Sequence, residues 1–256
     1  MGQVIYFLSL RIFLSHYLQR KKMKTVITGA TKGIGRATAE VFAREGHDLA
    51  VCARNENDLK NLQSELQEKY GIKVIYKVTD VAKKEQVIAF AEYIKTEWST
   101  LDVLINNAGA FFPGDVHSEG EGMLEALIET NLYSAYHLTR ALLPVMLPQA
   151  KGHIFNMCSV ASLIALPGGG SYSISKFALL GFNKVLREEM KDKGIRVTAV
   201  MPGATWSYSW NAMKDQLPES RLMKASDVAE TLWGAYKLSD QAVIEELVMR
   251  PQLGDL

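Results

Sequence analysis

Tyr172 and Lys176 stand four residues apart in the run Ser171-Tyr-Ser-Ile-Ser-Lys176, and on a helix that spacing puts both side chains on one face. A tyrosine near its free pKa of about 10 is a poor base at neutral pH, but an adjacent ammonium favours the phenolate. A phenol tuned in this way can give a proton to a carbonyl oxygen as hydride reaches the carbon, or take one in the reverse direction. Many helices carry such a pair by chance, so its meaning depends on its neighbours. Ser159 lies just after a β-type run and thirteen residues before Tyr172. Its hydroxyl can share the same substrate oxygen, or serve only as a loop or cap hydroxyl. Asn131 interrupts a long helical pattern in which asparagine has poor propensity. Its amide either holds a water or a backbone carbonyl behind such a site, or faces solvent.

A second group of residues is suited to phosphate. The segment Thr28-Gly-Ala-Thr-Lys-Gly-Ile-Gly35 follows the first β-type run. There Gly29 permits a sharp turn, Gly33 lets the backbone approach a pyrophosphate, and Gly35 allows close packing of helix on sheet. The following helix offers its N–H groups and positive dipole end to an anion. The spacing is GxxxGxG, and the competing reading is a surface turn with incidental glycines. At the end of the second strand the chain reads Val51-Cys-Ala-Arg54, with no acid to hold a ribose 2′-hydroxyl. Lys32 and Arg54 can instead meet a 2′-phosphate, which points to NADPH rather than NADH. Asn106-Asn-Ala-Gly109 follows the fourth strand, at the end of the sheet where open α/β folds bind ligands.

The elements that must position these residues alternate along the chain. Strands are expected at 24–28, 47–53, 74–78, 101–105, 153–158, 196–200 and 243–248, and helices at 36–45, 56–69, 84–98, 119–147, 171–191 and 226–237. The long fifth-strand-side helix, 119–147, is expected to break near Pro144. This order predicts an α/β fold, a Rossmann-type doubly wound parallel sheet of about seven strands with helices on both faces, in a single domain. The 256 residues suit one large core. A formal charge of +1 leaves no global field for nucleic acid.

Cys52 and Cys158 lie in apolar runs and read as buried thiols of a reducing, cytoplasmic setting. His16, His47, His117, His137 and His153 show no metal-ligand spacing, so no metal is expected. Residues 1–22 carry four basic residues and no acid around a short apolar run, too short for a membrane span. They read as an extension ahead of a catalytic domain at 23–256, with an interfacial membrane segment or a helix packed on the domain as the less favoured alternatives.

Taken together, TGATKGIG, Asp80, NNAG, Asn131, Ser159, Tyr172-Ser-Ile-Ser-Lys176 and Pro202-Gly203 make the chain resemble the short-chain dehydrogenase/reductase family across residues 23–256. The resemblance implies a catalytic tetrad of Asn131, Ser159, Tyr172 and Lys176. Asn131 would anchor a water in a proton relay, and Lys176 would hold the nicotinamide ribose. It further implies NADPH contacts from Gly29, Thr31, Lys32, Gly33, Ile34, Gly35, Arg54, Asp80, Val81, Asn107, Ala108, Gly109, Pro202, Gly203 and Thr205, beside Tyr172 and Lys176.

The expected activity is reduction of a ketone to a secondary alcohol. The first half is similar to 3-oxoacyl-[acyl-carrier-protein] reductases. The ending Val243-Ile-Glu-Glu-Leu-Val-Met-Arg-Pro-Gln is closer to NADP-dependent 3-hydroxy acid dehydrogenases and sepiapterin-reductase-like members. A homodimer or homotetramer through helices 119–147 and 171–191 is implied by the resemblance alone. The aromatic segment 204–222, with Trp206, Tyr208, Trp210 and Met213, reads as a lid over the site or as packing. A cofactor-binding protein without catalysis is the remaining alternative, and it fits poorly with both Tyr172 and Lys176 present.

Overall fold

The computed structural model describes residues 22–206 and 219–254. Seven parallel strands form one sheet: β1 (Lys24–Thr28), β2 (Asp48–Ala53), β3 (Val74–Val78), β4 (Val103–Asn106), β5 (Gly152–Met157), β6 (Ile195–Pro202) and β7 (Glu246–Met249). Their order is β3-β2-β1-β4-β5-β6-β7. The chain therefore reverses direction across the sheet between β1 and β4, and this is where a crevice opens beyond the strand C-termini.

The strands are apolar on both faces because helices cover both. Successive strand residues point to opposite sides: Val26, Leu104 and Ile154 enter one core, and Ile27, Ile105 and Phe155 the other. Helices α1 (Gly33–Arg44), α2 (Glu56–Tyr70) and α7 (Ala225–Tyr236) cover the second face, burying Phe42, Leu59, Leu62, Leu66, Val228 and Leu232. Helices α3 (Lys84–Glu97), α5 (Ser134–Met146) and α6 (Gly170–Met190) cover the first with Phe90, Ile94, Leu138, Leu142, Leu186 and Met190. Asn55 caps α2 by accepting from the Asp58 N–H at 2.9 Å, and Gly71 ends it at φ +63°.

Three boundaries differ from the sequence reading by three residues or more. The helix expected at 119–147 begins at Met123 as α4 (Met123–Ile128), and it loosens into a wide π turn at Glu129–Tyr133 before α5. The irregularity thus falls at Asn131 and not near Pro144, which α5 absorbs two residues before its end. The side chain of Asn131 explains this, since it is spent on a neighbouring loop. Helix α1 starts within the glycine segment, at Gly33, three residues earlier than expected. The last strand begins at Glu246 rather than Val243.

Cys52 and Cys158 are both free and buried. Among the described residues no helix is long and apolar enough to cross a membrane, and no group of His, Cys, Asp or Glu could hold a metal ion.

His47, just before β2, is buried against Phe42, Trp233 and Tyr236, with Nδ1 2.7 Å from the Thr25 hydroxyl. Burial pulls its pKa from 6.5 down to about 4. Its neutral ring therefore contributes stability that is complete above about pH 6.5 and is lost as pH falls toward 4. His153, buried on Phe155, shifts in the same direction. Denaturant unfolding at pH 7 and pH 5 is expected to show a loss on acidification approaching about 1.4 kcal/mol per pH unit from this residue. That loss should shrink in His47→Gln, and an unchanged loss in the variant would contradict the assignment.

Candidate active site

The β1–α1 turn is built around Thr28 and three glycines. Gly29 and Gly33 have φ of +65° and +53°, a region that favours glycine. A Cβ at Gly35 would lie 2.2 Å from the Gly29 carbonyl oxygen and 2.4 Å from the Asn107 amide nitrogen. Gly35 thus lets the turn fold onto its own helix. The Thr28 hydroxyl accepts from the Asn107 and Ala108 N–H groups at 3.0 and 2.9 Å. The Asn107 side chain donates back to the Thr28 and Gly29 carbonyls at 2.9 and 3.2 Å. Asn107 accordingly ties the two loops of the crevice together. Lys32 heads α1 without a side-chain cap bond, and the first turn carries no acid, so the helix start suits an external anion.

At the rim, Lys32 and Arg54 are both exposed, with the Lys32 amine 3.7 Å from Asp58. Thr31 and Ile34 are half-buried, and Ile34 packs on the core. Asp80 closes the loop after β3: its carboxylate accepts from Ala82 N–H at 3.1 Å and its own N–H donates to Gln86 at 2.8 Å. Val81 packs on the α3 side of the core. Pro202 ends β6, the Gly203 N–H donates to Met249 at 2.8 Å, and the Thr205 hydroxyl donates to the Gly203 carbonyl at 3.0 Å. Thr205 also pairs with Met223, which closes the base of the 204–222 segment. Of the proposed lid, Trp206 is half-buried at that base, while Tyr208, Trp210 and Met213 lie outside the described residues.

The four residues of the expected tetrad converge at the crevice. Tyr172 stands half-buried in the first turn of α6, where the Ser159 hydroxyl is near enough to pull its pKa down. Ser159 is also a cap: its Oγ accepts from Ala161 N–H at 3.1 Å, and its N–H donates to Ser162 Oγ at 3.2 Å. The structure shows the second of the two readings of this hydroxyl, the cap. Lys176 is buried one turn along, with its amine donating to the Met157 carbonyl at 2.8 Å and lying 5.8 Å from the centre of the Tyr172 ring. Asn131 accepts from Ala110 N–H at 2.7 Å and donates to the Ala110 carbonyl at 3.0 Å and to Ser175 Oγ at 2.9 Å. Ser175 in turn donates to the Tyr172 carbonyl at 2.7 Å. Both amide hydrogens of Asn131 are thus committed to protein, and its side chain acts as a loop clamp. Gly109 lies between these groups, since a Cβ there would meet Asn131 Oδ1 at 3.1 Å and the Lys176 amine at 3.4 Å.

The electrostatics differ from expectation in one respect. Burial raises the Tyr172 phenol above its usual value, against the opposing hydrogen bond with Ser159. Lys176 does not reverse this, because burial drives its own pKa down to about 8 and its amine is turned toward Met157. From the protein's own groups, Tyr172 at neutral pH is a protonated phenol, a donor rather than a base.

Sequence reasoning overlooked Ser175, Phe111 and a buried chain of amides. Ser175 was visible as the residue three positions after Tyr172. The Phe111 ring meets Tyr172 edge-on with centroids 4.8 Å apart, and nothing in its sequence context marked that contact. Asn106 donates to Thr139 and Asn156 at 3.0 and 2.8 Å, and Asn156 donates to Asn183 at 2.8 Å, behind the site.

With this geometry in place, comparison with known proteins is decisive. Residues 24–217 match the family model described as short chain dehydrogenase. The chain belongs to that family. It is therefore an oxidoreductase with a nucleotide-binding Rossmann fold. A 3-oxoacyl-[acyl-carrier-protein] reductase of Chlamydia muridarum is 33% identical over 75% of this chain and 77% of its own length. A sepiapterin reductase of Chlorobaculum tepidum is 31% identical over 90% of this chain and 97% of its own. Among solved structures, an alcohol dehydrogenase from Thermococcus sibiricus complexed with 5-hydroxy-NADP superposes with a TM-score of 0.85 at 29% identity, covering 91% of this chain and 97% of that one.

The family's glycine turn makes a sharp expectation. Gly35→Ala places a carbon against backbone and should lower the melting temperature by several degrees, whereas Gly234→Ala, with nothing within 4 Å, should hold or raise it, alanine being favoured in a helix by about 0.5–1 kcal/mol. Equal melting temperatures for the two variants would contradict the packing described.

Proposed function

We propose that this short-chain dehydrogenase reduces the ketone of a 3-oxo compound, an acyl thioester or a related 3-oxo acid derivative, to a secondary alcohol, with Tyr172 as proton donor. The observation that carries the reading is the half-buried Tyr172, whose phenol desolvation keeps protonated, with the Lys176 amine 5.8 Å from its ring centre and Gly109 set between that amine and Asn131.

The coenzyme is NADP(H). Solved structures of related chains hold NADP or NADPH, and the residues of this chain fit it. The uncapped start of α1 would take the pyrophosphate, and Lys32 and Arg54 the 2′-phosphate. Asp80 and Val81 would flank the adenine, and Asn107, Ala108, Gly109, Pro202, Gly203 and Thr205 would line the nicotinamide end, in reach of Lys176. When bound, NADPH supplies hydride to the carbonyl carbon. The protein's part is then to hold the carbonyl oxygen between the Ser159 and Tyr172 hydroxyls and to deliver the phenolic proton to it. Asn131 keeps Ala110 and the first turns of α6 in register, so a water in a proton relay would use its remaining oxygen lone pair or a π-turn carbonyl.

A second reading, a sepiapterin-like or free 3-hydroxy acid ketone, is favoured by the length of the match to the sepiapterin reductase and by the exposed rings of Phe111 and Phe112 at the mouth of the site. The apolar residues Ile174, Phe177 and Val185 are exposed along α6 rather than turned to the sheet, which supports a homodimer or homotetramer through that helix. The two buried thiols fit a reducing, cytoplasmic setting.

One experiment tests the assignment: a carbonyl panel, including a 3-oxoacyl carrier thioester, a free 3-oxo acid and a pterin ketone, assayed with NADPH and with NADH. Tyr172→Phe is expected to lose about a hundredfold or more in kcat while still binding NADPH. Arg54→Ala should weaken the preference for NADPH by about tenfold. Near-normal turnover in Tyr172→Phe, or equal efficiency with NADH in the wild type, would contradict the proposal.

A further inference from the structure

Helix α6 carries Tyr172 in its first turn, yet it begins without a cap of its own. Gly169 at its N-cap offers no side chain, and no acid stands in the first turn. The orphan donors are met from a segment some fifty residues upstream. The Gly170 N–H donates to the Gly114 carbonyl at 2.8 Å, and the Gly114 N–H donates to Gly168 at 2.8 Å. The Ser171 N–H donates to Glu119 Oε2 at 3.3 Å, and the Ser171 hydroxyl makes a short hydrogen bond to Glu119 Oε1. One carboxylate thus holds both donors of the residue immediately before Tyr172, at the helix end where negative charge is favoured.

We propose that Glu119 is a positioning residue for the proton donor: by capping α6 from outside, it fixes the turn that carries Tyr172 and keeps Phe111 seated on the Tyr172 ring. The inference rests on the reading of Tyr172 as that donor. Glu119 is not needed to close its own loop, because the Ser118 and Glu119 N–H groups already donate to the Asp115 carbonyl at 2.9 and 2.8 Å. Its carboxylate is directed elsewhere.

The segment it ends, residues 110–119, is tied at both ends. Asn131 binds both backbone groups of Ala110, and Gly114 and Glu119 bind the start of α6. Phe111 lies between the anchors, edge-on to Tyr172. The contact surfaces are close enough to be intolerant of slack: a Cβ at Gly114 would meet Glu119 Cβ at 3.0 Å, and one at Gly170 would meet the Gly114 oxygen at 2.9 Å. Loss of the carboxylate leaves the strap hydrogen-bonded to the start of α6 through Gly114 but loosens the turn that carries the hydroxyl, without touching the nucleotide turn. Small displacements of a catalytic group from its productive geometry reduce the chemical step more than binding.

The test compares Glu119→Ala, Glu119→Gln and Ser171→Ala with the wild type and with Tyr172→Phe. Three readouts are used: hydrogen exchange of peptides covering 166–176, NADPH affinity by fluorescence, and kcat and KM with ethyl acetoacetate as the probe. Glu119→Ala is expected to accelerate exchange at 170–173 and to cut kcat by about tenfold with NADPH affinity unchanged. Glu119→Gln, which still accepts from Ser171, should recover most of that kcat.

Unchanged exchange or unchanged kcat in Glu119→Ala would overturn the proposal, as would a glutamine variant no better than alanine. If Glu119→Ala does not fold, Ser171→Ala carries the test, with kcat expected to fall about threefold and an unchanged kcat overturning it. Tyr172→Phe separates the two claims: an active Tyr172→Phe overturns the donor reading, whereas an inactive one beside a fully active Glu119→Ala overturns only the clamp. The exchange readout is independent of turnover.

Discussion

The Lys176 amine is buried beside the end of β5 and holds one backbone carbonyl, that of Met157. Taking an ammonium out of water costs several kcal/mol unless charge or hydrogen bonds offset it, and this protein offsets it only in part. Its pKa accordingly falls to about 8. The surroundings follow from the need to keep that amine where it is. Residue 109 is confined, since a Cβ there would meet Asn131 Oδ1 at 3.1 Å and the amine at 3.4 Å. Asn131 must leave the regular helix, through a π turn, to clasp Ala110 and Ser175. Tyr172 is set one turn before Lys176 by helical periodicity, and partial desolvation raises its phenol above the usual value and keeps it protonated.

The sheet brings these groups to one place. All seven strands run parallel, so the residues that follow β1, β4, β5 and β6 emerge at one edge. Between β1 and β4 the Thr28 hydroxyl and the Asn107 amide form a reciprocal lock that joins the glycine turn to the loop carrying Gly109. Behind it, Asn106, Asn156, Asn183 and Thr139 link two strands and two helices through buried side-chain hydrogen bonds. Such networks rigidify a core when most members are paired. The phosphate end and the proton-donating end of the crevice are thus mechanically connected through β4 and β5.

Much of this was legible in the sequence because it depends on local pattern. Apolar strand runs, the glycines of the first turn and the Tyr172–Lys176 spacing each express a short-range rule, and the structure places them where those rules require. What was not legible depends on contacts between distant segments. Asn131 stood out only as a poor helix former, and its clamp on Ala110 depends on a loop that folds back over it. The direction of the Tyr172 shift could not be read from spacing, because burial outweighs a neighbouring ammonium that is itself being desolvated. Phe111 and Glu119 carried no signal at all, as their partners lie on a helix that begins some fifty residues later. The break assigned to Pro144 was misplaced for a related reason: the helix carries that proline through to Met146, whereas a side chain recruited to another loop reshapes the middle.

The state of the Lys176 amine can be observed directly. A chain labelled at lysine Nζ with nitrogen-15, titrated by NMR with the Lys176 signal assigned through Lys176→Met, is expected to show one amine titrating near 8, well below the solvent-exposed lysines. If the Lys176 signal instead titrates with the others near about 10.4, the amine is solvated, and the desolvated site from which the proton donor's environment was argued does not exist.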